Sequence, residues 1–336
     1  RNKIENKIEN KVSNKEDVYA ISLKESIKLS GVSFSYENTD KKILNDANLT
    51  IMRGESVGLV GPSGAGKTTL VDVIMGLLSI QSGSITVDGQ NIYDNLSGWY
   101  RCLGYVPQSI YLSDDTIRRN IAFGIRDEDI DDEKIARVIV EARLSELVQS
   151  LKDGVDTVIG DRGVRLSGGQ RQRIGIARAL ALNPEFIVCD EPISALDVSI
   201  QAQVINLMQD LQEEFGLTYI FIAHDLAVVE HISDRIAVMY LGNMVEIAET
   251  DELFKNPKHP YTRALLSAIP QPDPNIKKEK RIMLEGDVPT PLNKPSGCGF
   301  RTRCPIACED CAKNVPHMIE VSPGHLVACP RHTEYK

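Results

Sequence analysis

Strand-like and helix-like runs alternate through the middle of this chain, which predicts an α/β fold built around a mainly parallel sheet. Three observations carry that prediction. A P-loop consensus, Gly61-Pro62-Ser63-Gly64-Ala65-Gly66-Lys67-Thr68-Thr69, stands between a strand-like run at 55–60 and a helix-like run at 69–78. Further strands, at Phe186-Ile187-Val188, Ile220-Phe221-Ile222 and Ile236-Ala237-Val238-Met239, return with a helix-like run at 200–215 among them. The last region, 250–336, is rich in Pro, Cys and His and reads as a small extension tied down by something other than a large core.

Taken in chain order, the first segment is a four-residue repeat from Asn2 to Asp17. A helix there would stack Lys3, Lys7, Lys11 and Lys15 on one face, and like charges at that spacing oppose helix formation. A solvated linker over 1–26 is therefore expected. Short β runs fill 26–92, and a helical part follows over about 93–180. Its clearest stretch is 132–152, where Ile135, Val138, Ile139, Ala142, Leu147, Val148 and Leu151 trace one amphipathic face. The expected organisation is a linker at 1–26, a nucleotide-binding domain at 27–248 and an extension at 249–336.

With 336 residues, 42% of them hydrophobic, the chain can bury one large or two ordinary domains. Its net charge of −9 argues against a nucleic-acid binder working through a global positive field. No stretch approaches the roughly 18–20 apolar residues of a membrane span and no secretory apolar segment follows the N-terminus, so a soluble or peripheral protein is expected. It begins with Arg1 instead of Met, as a fragment or a processed chain would. Seven cysteines, with Cys102 and Cys189 isolated, argue against a disulfide framework.

The loop chemistry follows from its residue types. Backbone N–H groups at a helix N-terminus offer donors and a favourable dipole to phosphate, and glycines let the backbone approach. Lys67 supplies a point charge for the β- and γ-phosphates, and the Thr68 hydroxyl is the expected Mg²⁺ ligand. The blander reading is a glycine-rich turn that binds nothing. The strand at 186–188 leads into Cys189-Asp190-Glu191, which places Asp190 to hold Mg²⁺ and Glu191 to polarise an attacking water. The strand at 220–222 leads into Ala223-His224, offering an imidazole to the γ-phosphate or, more blandly, a surface histidine.

Leu166-Ser167-Gly168-Gly169-Gln170 resembles the signature of the ATP-binding cassette (ABC) ATPases, and the other motifs stand in that family's order. These are the phosphate loop, Gln108 of Tyr105-Val106-Pro107-Gln108, Asp190-Glu191, the loop Ser194-Ala195-Leu196-Asp197, and His224; Tyr36 matches the aromatic that stacks on adenine. The likeness covers roughly 27–247. It implies a RecA-like P-loop NTPase core with an antiparallel β subdomain and a helical subdomain. It also implies Mg²⁺ held by Thr68, Gln108 and Asp190, and ATP shared head to tail with a second ABC ATPase domain. The partner's nucleotide would meet Ser167, Gly168 and Gly169, and Gln170 and Asp197 are counted among the nucleotide-binding residues. Membrane permease subunits would receive the motion at the cytoplasmic face of the membrane.

Two branches of the family are recognisable. Up to about Leu180 the chain is similar to exporter or flippase ATPases, notably in Val158-Ile159-Gly160-Asp161-Arg162-Gly163, although Glu191-Pro192-Ile193-Ser194 departs from them. From Asp190 onward it is similar to oligopeptide or dipeptide importer ATPases, through Asp197-Val198-Ser199-Ile200-Gln201-Ala202-Gln203 and the segment 255–266. A mosaic joined between Leu166 and Leu180 is the expectation. The importer likeness also implies a [4Fe–4S] cluster on Cys298, Cys304, Cys311 and Cys329. Four-thiolate zinc using the C-x2-C pair Cys308 and Cys311, or free thiols, are the alternatives. The functional expectation is the ATPase of a peptide importer, against a lipid exporter or flippase ATPase, a non-transport ABC ATPase, or an uncoupled nucleotide-binding module.

Overall fold

The computed structural model describes residues 21–37, 39, 41–269, 282–287, 289–290 and 293–333. The chain opens with β1 (Ser26–Phe34), β2 (Leu44–Met52), β3 (Ser56–Val60), α1 (Lys67–Ile74), β4 (Ser82–Val87) and β5 (Gln90–Asn91). A helical stretch follows with α2 (Leu96–Tyr100), β6 (Leu103–Val106), α3 (Ile117–Ile121), α4 (Asp132–Glu141), α5 (Ser145–Ser150) and α6 (Gly168–Leu180). Next come β7 (Phe186–Asp190), α7 (Val198–Phe215), β8 (Thr218–Ile222), α8 (Leu226–Ile232), β9 (Arg235–Tyr240) and β10 (Asn243–Glu249). The C-terminal part holds α9 (Thr250–Lys255), α10 (Pro260–Leu266), α11 (Asp310–Lys313), β11 (Ile319–Ser322) and β12 (His325–Val327).

Two sheets result. The smaller is antiparallel in the order β2-β1-β4-β5, and the larger has the order β11-β12-β10-β9-β3-β8-β7-β6. Within the larger sheet β6, β7, β8, β3 and β9 are parallel. Every residue of β3 and β8 is buried, as befits central strands covered on both faces. Alternate side chains serve different cores. Val57, Leu59, Ile220 and Ile222 pack between the sheets with α1, whereas Tyr219 and Phe221 pack on the other face with Val204 and Met208 of α7.

Several expectations are corrected. Residues 1–20 of the expected linker lie outside the described residues, but Ile21 and Leu23 are buried and the Leu23 N–H donates to Glu185 at 2.6 Å, so the packed region begins before residue 26. Helix α1 starts two residues earlier than expected and stops at Ile74, because Gly76 turns the chain with φ +76°. Leu77 consequently leaves the buried face and is 62% exposed. The amphipathic run at 132–152 is two helices, broken where Arg143 takes φ +52°.

The C-terminal extension is part of the large sheet. Strand β12 pairs antiparallel with β10, matching Glu246 to Val327 and Ile247 to Leu326. Glu246 is fully buried, and its carboxylate accepts from the backbone N–H groups of Lys258 (2.6 Å) and His259 (2.9 Å) and from His325 Nε2 (2.8 Å). The extension also reaches the segment that leads into β2, beside the β9–β10 turn. Lys294 Nζ donates to the carbonyls of Lys42 (2.6 Å) and Ile43 (3.4 Å), while Lys41 Nζ donates to Asn293 at 3.2 Å. Burial pushes the Lys294 ammonium down to about 8.

His259 caps α10 and is buried against Phe300; its Nδ1 accepts the Tyr261 N–H at 3.1 Å, which requires the neutral ring. Burial lowers its pKa to about 4, against the opposing charge of Glu246. The unfolded imidazole titrates near 6.5, so the unfolded chain takes up a proton that the folded one refuses, and stability falls as pH drops from about 6.5 toward 4. Between pH 7 and 4.5 urea unfolding should show about 2 kcal/mol more loss in the natural chain than in His259→Asn, which keeps a capping oxygen and does not titrate. Equal losses in the two chains would remove His259 as the source.

Candidate active site

Four parallel strands end at one edge, and the residues just beyond them carry the chemistry. β3 runs from Val60 into the phosphate loop, β7 ends at Asp190, β8 ends two residues before His224, and β6 ends two residues before Gln108. At the start of the loop only glycine fits, since a Cβ on Gly61 would lie 2.4 Å from the Met239 carbonyl oxygen of β9. Gly66, with φ +97°, forms the N-terminal boundary of α1, where no side chain caps the helix and no acid stands in the first turn. The helix dipole and first N–H groups thus remain available to an anion.

Lys67 is 8% exposed, and its ammonium donates to the carbonyls of Gly61 (2.8 Å) and Pro62 (3.2 Å). Burial lowers its pKa, and the charges of Glu191 and Asp190 oppose that shift. Asp190 is shifted upward, first by burial and then by the charges of Glu191 and Asp72, with a hydrogen bond to Thr68 working the other way. Thr68 and Asp190 therefore present adjacent hard oxygen donors of the kind Mg²⁺ prefers.

Glu191 has φ +45°, a conformation few non-glycine residues adopt, and its N–H is tied to the Ile222 carbonyl at 3.0 Å. That backbone turn points the carboxylate at two neighbours. Its Oε2 accepts from Gln108 Nε2 at 3.1 Å and lies 3.4 Å from His224 Nδ1. Gln108 Nε2 also stands 3.5 Å from Ser194 Oγ. Tyr36 is 46% exposed; its hydroxyl meets Thr69 Oγ1 at 3.2 Å and its ring lies edge-on to Phe34 at 5.0 Å. Sequence reasoning missed Ser194 and Asp72 as neighbours of the carboxylates. Ser194 lay within a motif already singled out, whereas Asp72 had no signal beyond its position one turn along α1.

The signature segment is built as a helix start. Gln170 N–H donates to Ser167 Oγ at 3.2 Å, and Ser167 N–H donates to Gln170 Oε1 at 2.8 Å, a reciprocal capping box for α6. A Cβ on Gly168 would lie 2.9 Å from Leu196 Cδ2, and one on Gly169 would lie 2.6 Å from Ile200 Cγ2. Gly169 therefore lets α6 pack closely on Ile200 of α7, and Gly168 leaves room for Leu196 just ahead of that helix, besides the expected approach to a partner. Asp197 precedes α7 but makes no side-chain capping bond to it.

The terminal cysteines form no single-ion site. Among the described residues no group of three or more His, Cys, Asp or Glu side chains is placed to hold a metal ion, so neither the cluster nor the zinc alternative is seen as a metal site in the structure. Cys298, Cys304, Cys311 and Cys329 do line one cavity, together with Arg301 and Arg331. Also among the described residues, no helix is long and apolar enough to cross a membrane.

Residues 44–194 match the family model described as ABC transporter, and residues 245–311 match that of the oligopeptide/dipeptide transporter C-terminal region. The oligopeptide transport ATP-binding protein OppF of Escherichia coli is 48% identical over 297 residues, covering 86% of this chain and 87% of that protein. OppF of Salmonella typhimurium is 46% identical over the same shares of both chains. Among solved structures, a bacterial Atm1-family ABC exporter with ATP bound superposes with a TM-score of 0.64 at 32% identity, covering 73% of this chain and 42% of the exporter. The expected mosaic is not supported. Relatives named for oligopeptide transport cover 86% of the chain and so extend to both sides of the supposed join, and the exporter likeness reflects the fold shared by both branches.

Gly169→Ala should lower the stability of the isolated, nucleotide-free chain by about 1–3 kcal/mol in urea unfolding, through the overlap with Ile200. An unchanged unfolding curve would confine this glycine to contacts with a partner.

Proposed function

The chain belongs to the ABC transporter ATP-binding proteins and is an ATPase of that family, and from this premise we propose that it powers peptide uptake through a membrane permease. The observation that carries the reading is the convergence of Lys67, the Thr68–Asp190 pair and the Gln108–Glu191–His224 group on one edge of the parallel sheet. Peptide as the cargo rests on the C-terminal match at 245–311 and on the names of the relatives. In this reading the cassette occupies 27–248, with its helical part over about 93–180, and 249–336 is the extension. The chain sits peripherally on the cytoplasmic face, held by permease subunits.

Each residue has a role in that reading. Tyr36 offers its exposed ring to adenine. The N–H groups from Gly61 through Thr69 and the Lys67 ammonium hold the β- and γ-phosphates. Thr68 and Asp190, with Gln108, would supply the oxygen donors for Mg²⁺, and the ion would offset phosphate charge there. Glu191 accepts a proton from water aligned with the γ-phosphate, while Gln108 and His224 orient its carboxylate and His224 hydrogen-bonds the γ-phosphate. Ser167, Gly168, Gly169, Gln170 and Asp197 complete the site of a second ATPase domain placed head to tail. ATP hydrolysis should rise more than linearly with protein concentration and fall by at least 100-fold, a loss of about 2.7 kcal/mol of transition-state stabilisation, in Glu191→Gln. A linear dependence, or an active variant, would overturn the shared site or the base.

A second proposed site is the cysteine-lined cavity. Burial pushes the thiols of Cys304 and Cys329 up to about 11, so they stay protonated unless positive charge enters beside them. An iron–sulfur cluster held by Cys298, Cys304, Cys311 and Cys329 would supply that charge. Arg301 and Arg331 in the lining suit the negative charge of a thiolate-bound cluster. Chain purified anaerobically should contain iron and acid-labile sulfide in equal amounts, and Cys304→Ser should lose both. Iron-free protein under those conditions would overturn the cluster.

A further inference from the structure

Cys308 is the one terminal cysteine that the proposed cluster does not use and that the cavity lining does not include. It is nevertheless not isolated. Its sulfur lies 3.5 Å from Cys311 Sγ, on a turn closed by the Cys311 N–H donating to the Cys308 carbonyl at 3.1 Å. A turn of this kind keeps its first and fourth Cα atoms within about 7 Å, close to the span a disulfide bridges. Cys308 is partly exposed, in contrast to the buried Cys102 and Cys189.

We propose that Cys308 and Cys311 form a redox-active dithiol, which hydrogen peroxide converts to an intrachain disulfide. The chemistry balances in two steps. Cys308, as thiolate, attacks one peroxide oxygen; the O–O bond breaks, water leaves once the departing oxygen is protonated, and a sulfenic acid remains. The Cys311 sulfur then attacks the sulfenic sulfur, the S–S bond forms, the S–O bond breaks, and a second water departs with the thiol proton. Two thiols lose two electrons, and one peroxide is reduced to two waters. The sulfurs need to close from 3.5 Å to about 2 Å, within reach of side-chain rotation. The pairing stands independently of the cluster; its consequence, withdrawal of Cys311 from the cavity, rests on the cluster reading above.

The test treats the purified full chain with a slight excess of hydrogen peroxide, before and after removal of iron by chelation, alkylates the remaining thiols and digests with trypsin. The peptide 304–313 carries Cys304, Cys308 and Cys311. The expected product in the chelated chain has lost two hydrogens and carries a single alkyl group, on Cys304, and Cys308→Ser abolishes it. Formation in the chelated chain alone supports the pair and shows that metal shields it; formation in both samples supports the pair with Cys311 uncommitted. Cys308 recovered as sulfinic or sulfonic acid with Cys311 still alkylated, or a disulfide through Cys304, would overturn it. Absence of iron before chelation would sink the cluster and leave the dithiol standing.

Discussion

The parallel register of β6, β7, β8 and β3 is the constraint on which the rest of the molecule depends. Pairing sets Val106 beside Cys189, Asp190 beside Ile222 and Leu59 beside Ile222, so the four strands finish level with one another. Parallel strands deliver their carboxyl ends to one edge, which is where α/β sheets place ligands. The phosphate loop, Glu191, the imidazole and the glutamine each follow a strand end by one or two residues, and Asp190 is the last residue of β7. None of these groups has to be carried to the site by a long loop. The burial of β3 and β8 on both faces holds that register, because a one-residue slip would carry side chains packed in one core into the other.

The second organising feature is the buried carboxylate of Glu246. It answers two backbone N–H groups at the entry to α10 and one histidine of β12, so a single side chain joins the last strand of the cassette to two parts of the extension. Removing any partner leaves an uncompensated polar group in a dry interior, which is costly compared with the modest net value of each bond. The extension is thus attached by hydrogen-bond geometry at the sheet and by aromatic packing of Tyr240, Tyr261 and Phe300 beside it.

Much of the site was legible because its residues lie in short local motifs whose spacing reports their chemistry. Lys67 and Thr68 follow the loop, and Asp190 and Glu191 follow an apolar strand. What escaped was non-local or conformational. The junction of Glu246 with His325 spans 79 residues, and β12 is only three residues long, too short to show a period. The break at Arg143 depends on a left-handed backbone at a residue type that seldom adopts one, so the helical pattern ran through it. The need for glycine at 168 and 169 comes from Leu196 and Ile200, which pattern reading has no means of bringing alongside. The importer and exporter likenesses were both present in the residues, and what failed was the inference that two likenesses need two origins.

Lys294 crosses from the extension to the carbonyls of Lys42 and Ile43, in the stretch between Tyr36 and β2. That contact ties the tail to the loop that leads into β2. A chimaera cut between β10 and α9 would transplant the ammonium without the carbonyls shaped to receive it, or leave those carbonyls facing a foreign side chain. Because the acceptors are main-chain oxygens, what the contact constrains is the path of the 41–43 backbone and not the side chains it carries.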